Sequence, residues 1–314
     1  MLLLLLVSLL ASLLAGTQGL PASNLTGRLS RQDYQFLQSL PRVRSSTQMP
    51  GFKYIYVDSV GGTSYQVNPS IYQLEIAGSQ RTSYEAIQAA AQYVGKMTRY
   101  MPLNIFINLC TQASVGIFTA AEKLTVYPEY SNLANGNCGS SCTGSCQHTC
   151  TFDGRKYEDI AGVGGARAVI LDDNVLCSPQ DPYNHQENIL AHEFTHTIQQ
   201  YALTPTDQAH ITQAYNAAKQ AQTWNLNSYA MSDDREYFAE AATVFFGVNM
   251  YSSLNTGGMN VCGVSGFCGG EMQARQNLWA RDPRLYSILS YVFTDNRPSY
   301  YSSLTVCPAF TAVG

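Results

Sequence analysis

Two histidines four residues apart with a glutamate beside the first constrain this chain more than any other feature. They lie in the run Ile189-Leu190-Ala191-His192-Glu193-Phe194-Thr195-His196-Thr197-Ile198-Gln199-Gln200-Tyr201. A helix turns about 100° per residue, so His192 and His196 stack on one face and can grip one cation with two imidazoles. Glu193 stands next to them, where a carboxylate can take a proton from water that a metal ion has acidified. The pattern is short enough to arise by chance, so its setting decides. Ile189, Leu190, Phe194, Ile198 and Tyr201 recur at helical spacing, no Pro or Gly interrupts them, and Asn184 with Glu187 three residues on offers a cap. A buried helix presenting two zinc ligands and a general base is expected.

Composition narrows the class. At 314 residues and 45% hydrophobic content the chain can bury a full core. Charged residues make up 13%, with a net charge of −4, which gives no basic surface for nucleic acid or anionic lipid. Residues 1–19 open on a Leu-rich run and close on Gly16-Thr17-Gln18-Gly19, the form of a secretory signal peptide, too short for stable membrane insertion. All nine Cys lie beyond it, so a secreted, disulfide-bonded protein with one Cys left over is expected.

Residues 20–50 are polar, carry Asn24-Leu25-Thr26 as an N-glycosylation acceptor, and read as an N-terminal extension or propeptide. No Cys precedes Cys110, so no propeptide thiol can cap a metal. Phe52 to Val60 and Ser64 to Ile76 read as two strands joined at Gly61-Gly62. Thr82-Ser83-Tyr84-Glu85 has capping-box form and opens a helix reaching Pro102. Leu103 to Leu109, Lys123 to Tyr127 and Ala166 to Leu171 read as further strands, the last closed by a turn at Asp172-Asp173-Asn174. Cys138, Cys142, Cys146 and Cys150 sit among Gly and Ser as a stapled loop rather than a zinc site, and Cys262 with Cys268 forms another short pair. Thr204-Pro205-Thr206-Asp207 starts a helix carrying His210, Asp233-Asp234-Arg235 another, and Asp282-Pro283 a last one.

Two His leave zinc short of a protein ligand. A class with a third His three residues after a Gly needs Gly at 199 and His at 202, where Gln199 and Ala202 stand. Glu236 and Glu240, four apart on an otherwise apolar helix, are costly to bury unless a cation compensates, so one can ligate and the other accept a ligating imidazole's N–H. Asp207 is a competing third ligand of the Asp-zincin kind, although the Gly and Tyr of that motif are missing around it.

His192-Glu193-Phe194-Thr195-His196, Tyr229-Ala230 and Arg235-Glu236-Tyr237-Phe238-Ala239-Glu240-Ala241 together resemble the catalytic domain of anthrax lethal factor and the secreted lethal-factor-like zinc metallopeptidases of the Glu-zincin type. The resemblance covers about a third of the chain, from Asn184 to Phe293. It implies one zinc ion held by His192, His196 and Glu236, with Glu193 as base and Tyr229 donating its hydroxyl to the developing oxyanion. Glu240 takes the place of the acid behind a ligand in such enzymes. Nothing resembles the other domains of lethal factor, so its translocation and substrates are not implied.

The expected fold is therefore α+β and zincin-like over 51–314, with a sheet-bearing lobe over 51–179 and a mainly helical lobe over 180–314 around a zinc cleft. The expected activity is endopeptidase, with peptide or protein substrates. Two other readings remain open: a non-catalytic extracellular binding protein that keeps the fold, and a metallo-hydrolase acting on another bond.

Overall fold

The computed structural model describes residue 32 and residues 48–151, 154–251, 258–262 and 268–307. The signal-peptide reading of 1–19, nearly all of the extension and Asn24 lie outside them. The described residues form a mixed sheet of six strands: Lys53–Asp58 (β1), Thr63–Ser64 (β2), Gln73–Gly78 (β3), Ser114–Phe118 (β4), Gly162–Val163 (β5) and Arg167–Leu171 (β6), in the order β2-β1-β3-β4-β6-β5. β3, β4 and β6 run parallel, while β1 and β5 pair antiparallel with their neighbours. Helices follow as Tyr84–Thr98 (α1), Leu103–Gln112 (α2), Asp172–Val175 (α3), Ile189–Tyr201 (α4), Pro205–Gln220 (α5), Asp234–Phe245 (α6), Glu271–Arg281 (α7) and Pro283–Thr294 (α8).

Alternation along the strands sorts the two faces of the sheet. Ile55, Val57, Leu74, Ile76, Val115, Ile117, Ala168 and Ile170 pack on one side with Ile87, Val94, Phe106 and Phe194. Tyr54, Tyr56, Ala77, Phe118, Val169 and Leu171 pack on the other with Tyr127, Tyr130 and Tyr157. Helix α4 reaches both cores, with Leu190, Ala191, Phe194 and Ile198 in the first and Ile189 in the second. Each large apolar side chain buried there contributes roughly 1.5–3 kcal/mol, so α4 is seated along its length.

Several sequence expectations are corrected. Leu103 to Leu109 is a helix, not a strand, and buries Ile105, Phe106 and Leu109 while Leu103 and Asn104 face solvent. A seven-residue apolar run cannot by itself separate the two periods. Lys123 to Tyr127 forms a 3₁₀ turn at Leu124–Val126, followed by a second at Pro128–Leu133. The stretch from Ser64 to Ile76 is not one strand, because Asn68 turns the chain by accepting from Ser70 N and Ile71 N before β3 begins. The cap of α4 is Asn188, whose side chain accepts from Ala191 N at 2.8 Å, and Asn184 instead adopts a positive φ of 49°. Helix α1 ends at Thr98, short of Pro102.

Four disulfides are formed: Cys138–Cys146, Cys142–Cys150, Cys262–Cys268 and Cys177–Cys307. The stapled loop and the short pair match expectation; the fourth closes a sequence separation of 130 that no local spacing reveals. Cys110 is the free thiol among them, and burial pushes its pKa up to about 12. The segment from Tyr301 to Cys307 returns across α1. Arg99 donates to Tyr301 O at 2.6 Å and Ser302 O at 3.0 Å, and Tyr93 donates to Val306 O at 2.8 Å. Among the described residues no helix is long and apolar enough to cross a membrane.

Candidate metal centre

Two helices bring the acid and histidine side chains together. α4 carries His192, Glu193 and His196, all buried. α6 opens at Asp233, whose carboxylate caps it by accepting from Arg235 N at 2.9 Å and Glu236 N at 3.0 Å. That cap fixes Glu236 in the first turn, facing α4.

The geometry fits one small cation. His192 Nε2 and His196 Nε2 lie 3.1 Å apart. His192 Nε2 is 3.1 Å from Glu236 Oε2, and His196 Nε2 is 3.6 Å from Glu236 Oε1. Ligands at about 2.0–2.1 Å from a tetrahedral zinc stand about 3.3–3.4 Å from one another, and the three observed separations bracket that value. Glu236 is 1% exposed, yet neither of its oxygens takes a well-formed hydrogen bond. A buried carboxylate in that condition is costly without a cation. Two imidazoles and one carboxylate form a donor set that zinc and other first-row transition metals take.

Electrostatics agree. Burial alone would raise the Glu236 carboxyl; the charge of His196 and contact with both imidazoles hold it far below the usual range. Burial alone would lower His192, but Glu236, Glu193 and Glu187 outweigh it and keep the ring above its ordinary pKa.

Glu193 brings a carboxylate oxygen to within 4.8 Å of the ring nitrogens of His192 and His196. The hairpin from β5 to β6 presses on this part of α4. A Cβ on Gly164 would stand 2.6 Å from His196 Cβ and 2.7 Å from Glu193 O, and one on Gly162 would stand 2.8 Å from Ile189 Cγ2. Thr197 Oγ1 ties the same contact by donating to Gly165 O at 2.7 Å.

Tyr229 starts a single 3₁₀ turn, Tyr229–Met231, and its ring centroid lies 6.4 Å from that of His192. The turn is held by Tyr215, which donates to Met231 O at 3.0 Å. Glu240 lies behind the imidazole, with Oε1 3.5 Å from His192 Nδ1. Asp207 is engaged elsewhere: its carboxylate accepts from Thr204 N at 3.0 Å and Thr204 Oγ1 at 2.6 Å, a capping box on α5. His210 is exposed on α5, bordering a shallow cleft with Pro283 and Arg284.

Two residues at the centre escaped the sequence reading. Glu187, fully buried, places Oε1 3.7 Å from His192 Nδ1. Asn249, also buried, donates from Nδ2 to Glu187 Oε1 at 3.0 Å and Glu240 Oε2 at 3.1 Å. Glu187 reads from sequence as an ordinary acid near a helix start. The only trace of Asn249 is a polar residue between Val248 and Met250.

No protein-family model matches the chain, and no curated protein is similar to it. Among solved structures, a Pro-Pro endopeptidase from Paenibacillus alvei is similar over 69% of this chain and 97% of that one, at 18% identity and a TM-score of 0.44. The functional reading therefore stands on the geometry of the site itself.

Proposed function

We propose that the chain is a secreted zinc-dependent endopeptidase of the Glu-zincin type, with His192, His196 and Glu236 as ligands. The observation that carries the reading is the buried Glu236 carboxylate lying 3.1 and 3.6 Å from two imidazole nitrogens that are themselves 3.1 Å apart. Zinc held there would supply Lewis acidity toward water and toward a scissile carbonyl. The resemblance to the lethal-factor-like enzymes rests on the residues alone, and it agrees with this donor set. The four disulfides suit an oxidising compartment.

Glu193 is the general base. Its carboxylate, within 4.8 Å of a ring nitrogen of each histidine, takes a proton from the attacking water and passes it to the leaving amine. Tyr229, beside the His192 ring, donates its hydroxyl to the oxygen on which negative charge develops. The substrate peptide lies extended along an edge of the sheet. The Gly162 to Gly165 hairpin holds the base and His196 at a fixed height above the sheet.

Metal content and cleavage of casein or gelatin, with and without chelator, test this together. Glu193→Gln keeps zinc and loses cleavage, whereas Glu236→Ala loses both. If Asp207→Ala loses zinc while Glu236→Ala retains it, the ligand assignment fails. Absent cleavage by the folded, zinc-loaded protein overturns the peptidase reading in favour of a binding protein or a different hydrolase, and cleavage that survives chelator overturns the metal mechanism.

A further inference from the structure

The back of His192 is more heavily built than a single orienting acid requires. Glu187 Oε1 lies 3.7 Å and Glu240 Oε1 3.5 Å from His192 Nδ1, and both acids are fully buried. Neither approach has closed to the length of a formed hydrogen bond. The single ring N–H thus faces two acceptors at almost equal range. Burying a second carboxylate is costly, and Glu240 alone would satisfy one N–H.

One amide holds the pair. Asn249 Nδ2 lies within hydrogen-bond distance of Glu187 Oε1, Glu240 Oε2 and Thr243 Oγ1, at 3.0, 3.1 and 2.9 Å. Its own oxygen accepts from Tyr251 N at 2.7 Å. The backbone adds a short bridge between Glu187 and Asn249, flanked by Asn188 N to Val248 O and Met250 N to Gln186 O, each 3.0 Å. The stretch leading into α4 is thereby fastened to the stretch leaving α6, the two helices that carry the proposed ligands.

From this we infer that Glu187 is a positioning residue for His192, sharing the Nδ1–H with Glu240 as an interchangeable acceptor under the control of Asn249. The inference rests on the zinc reading above. Either carboxylate alone keeps the Nδ1–H tautomer and leaves Nε2 as the lone-pair nitrogen aimed at Glu236 and His196. The pair makes the metal-facing nitrogen insensitive to loss of one partner.

Methionine replacements test it, since Met is close to Glu in length and offers the ring no oxygen, whereas a Gln at 187 would keep the Oε1 that faces both Asn249 and His192. Zinc dissociation constants would be measured by chelator competition for the wild type, Glu187→Met, Glu240→Met and the double variant, each with its melting curve. Sharing predicts about a tenfold loss or less in either single variant and about a hundredfold or more in the double, beyond the product of the singles. In the metal-free proteins, at a pH where the ring is neutral, ¹⁵N spectra of His192 should keep the Nδ1–H tautomer in both single variants and lose it in the double. A double variant no weaker than Glu240→Met, with the same tautomer, overturns the role of Glu187. So does a single Glu187→Met change that abolishes zinc binding in a protein that melts normally, because the acceptors would not then be interchangeable. Should the wild type bind no zinc, the metal reading falls, and the ring tautomer still decides the inference on its own.

Discussion

Gly164→Ala probes how tightly the hairpin sets α4. The new methyl would stand 2.6 Å from His196 Cβ, 2.7 Å from Glu193 O and 3.3 Å from Glu193 Oε2. Two of these partners are the helix backbone and the first side-chain atom of a proposed ligand, which cannot rotate away. Ordinary carbon contacts begin near about 3.5 Å, so α4 and the hairpin must separate by close to 1 Å. A displacement of about 1 Å at reacting groups costs about 10²-fold in rate, and overpacking a buried contact costs about 1–3 kcal/mol. Gly162→Ala is the graded comparison: its nearest neighbour is Ile189 Cγ2 at 2.8 Å, followed by Glu193 Cγ at 3.1 Å. Both are side-chain atoms with some freedom to move, so the loss should be smaller. The assay is kcat/KM on a peptide substrate, with zinc content and Tm recorded for each variant. Wild-type turnover and Tm in Gly164→Ala would refute the claim that this contact fixes the base and His196.

Three further outcomes are expected. Tyr229→Phe removes the proposed oxyanion donor and should lower kcat by about 10²-fold with zinc content unchanged; undiminished kcat would remove it from the mechanism. Breaking Cys177–Cys307 with paired Ala substitutions should lower urea-unfolding stability by about 5 kcal/mol on the chain-entropy relation, against about 2.5 kcal/mol for Cys138–Cys146, because the separations are 130 and 8 residues; equal losses would contradict loop entropy as the cause. Burial, and then the charge of Asp173, raise Asp172 from 3.8 to about 6. Its charged form is penalised in the fold, so the penalty is absent below about pH 3.8 and grows until about pH 6. Asp172→Asn should therefore raise Tm at pH 7 and leave it unchanged near pH 3.5, and a pH-independent difference in Tm would refute the assignment.

The helix carrying His192 and His196 was legible in the sequence because its apolar period, its two imidazoles and its lack of breakers all agree. The capping signals at Thr204, Asp233 and Asp282 were legible for the same reason: each is a local bond, realised here at Asp207 N, Glu236 N and Leu285 N, whereas the box expected from Thr82 to Glu85 gives way to Ser83, which accepts from Ala86 N. The sheet was less so. β4, Ser114-Val115-Gly116-Ile117-Phe118, is short, contains Gly, and becomes a strand only because β3 and β6 flank it. Leu103 to Leu109 failed for the converse reason, since a brief apolar run takes its period from what it packs on. At the site, Glu236 was foreseeable from the cost of burying an acid on an apolar helix. Glu187 and Asn249 were not, because they meet His192 through a backbone bridge between segments 62 residues apart.

Cys177 precedes every residue placed at the centre, and Cys307 follows them all. His192, Glu193, His196, Tyr229, Glu236, Glu240, Glu187 and Asn249 thus belong to one covalently closed ring, while the strands that support α4 lie outside it. When the fold opens briefly, the imidazoles and the carboxylate drift apart only within that tether, which keeps their effective concentration for one another high. An ion released in such an opening meets a gathered set of donors rather than a dispersed chain, and its recapture pulls the ring shut. On the proposed reading of a secreted metal enzyme, the bond at Cys307 would thereby lengthen the working life of the site.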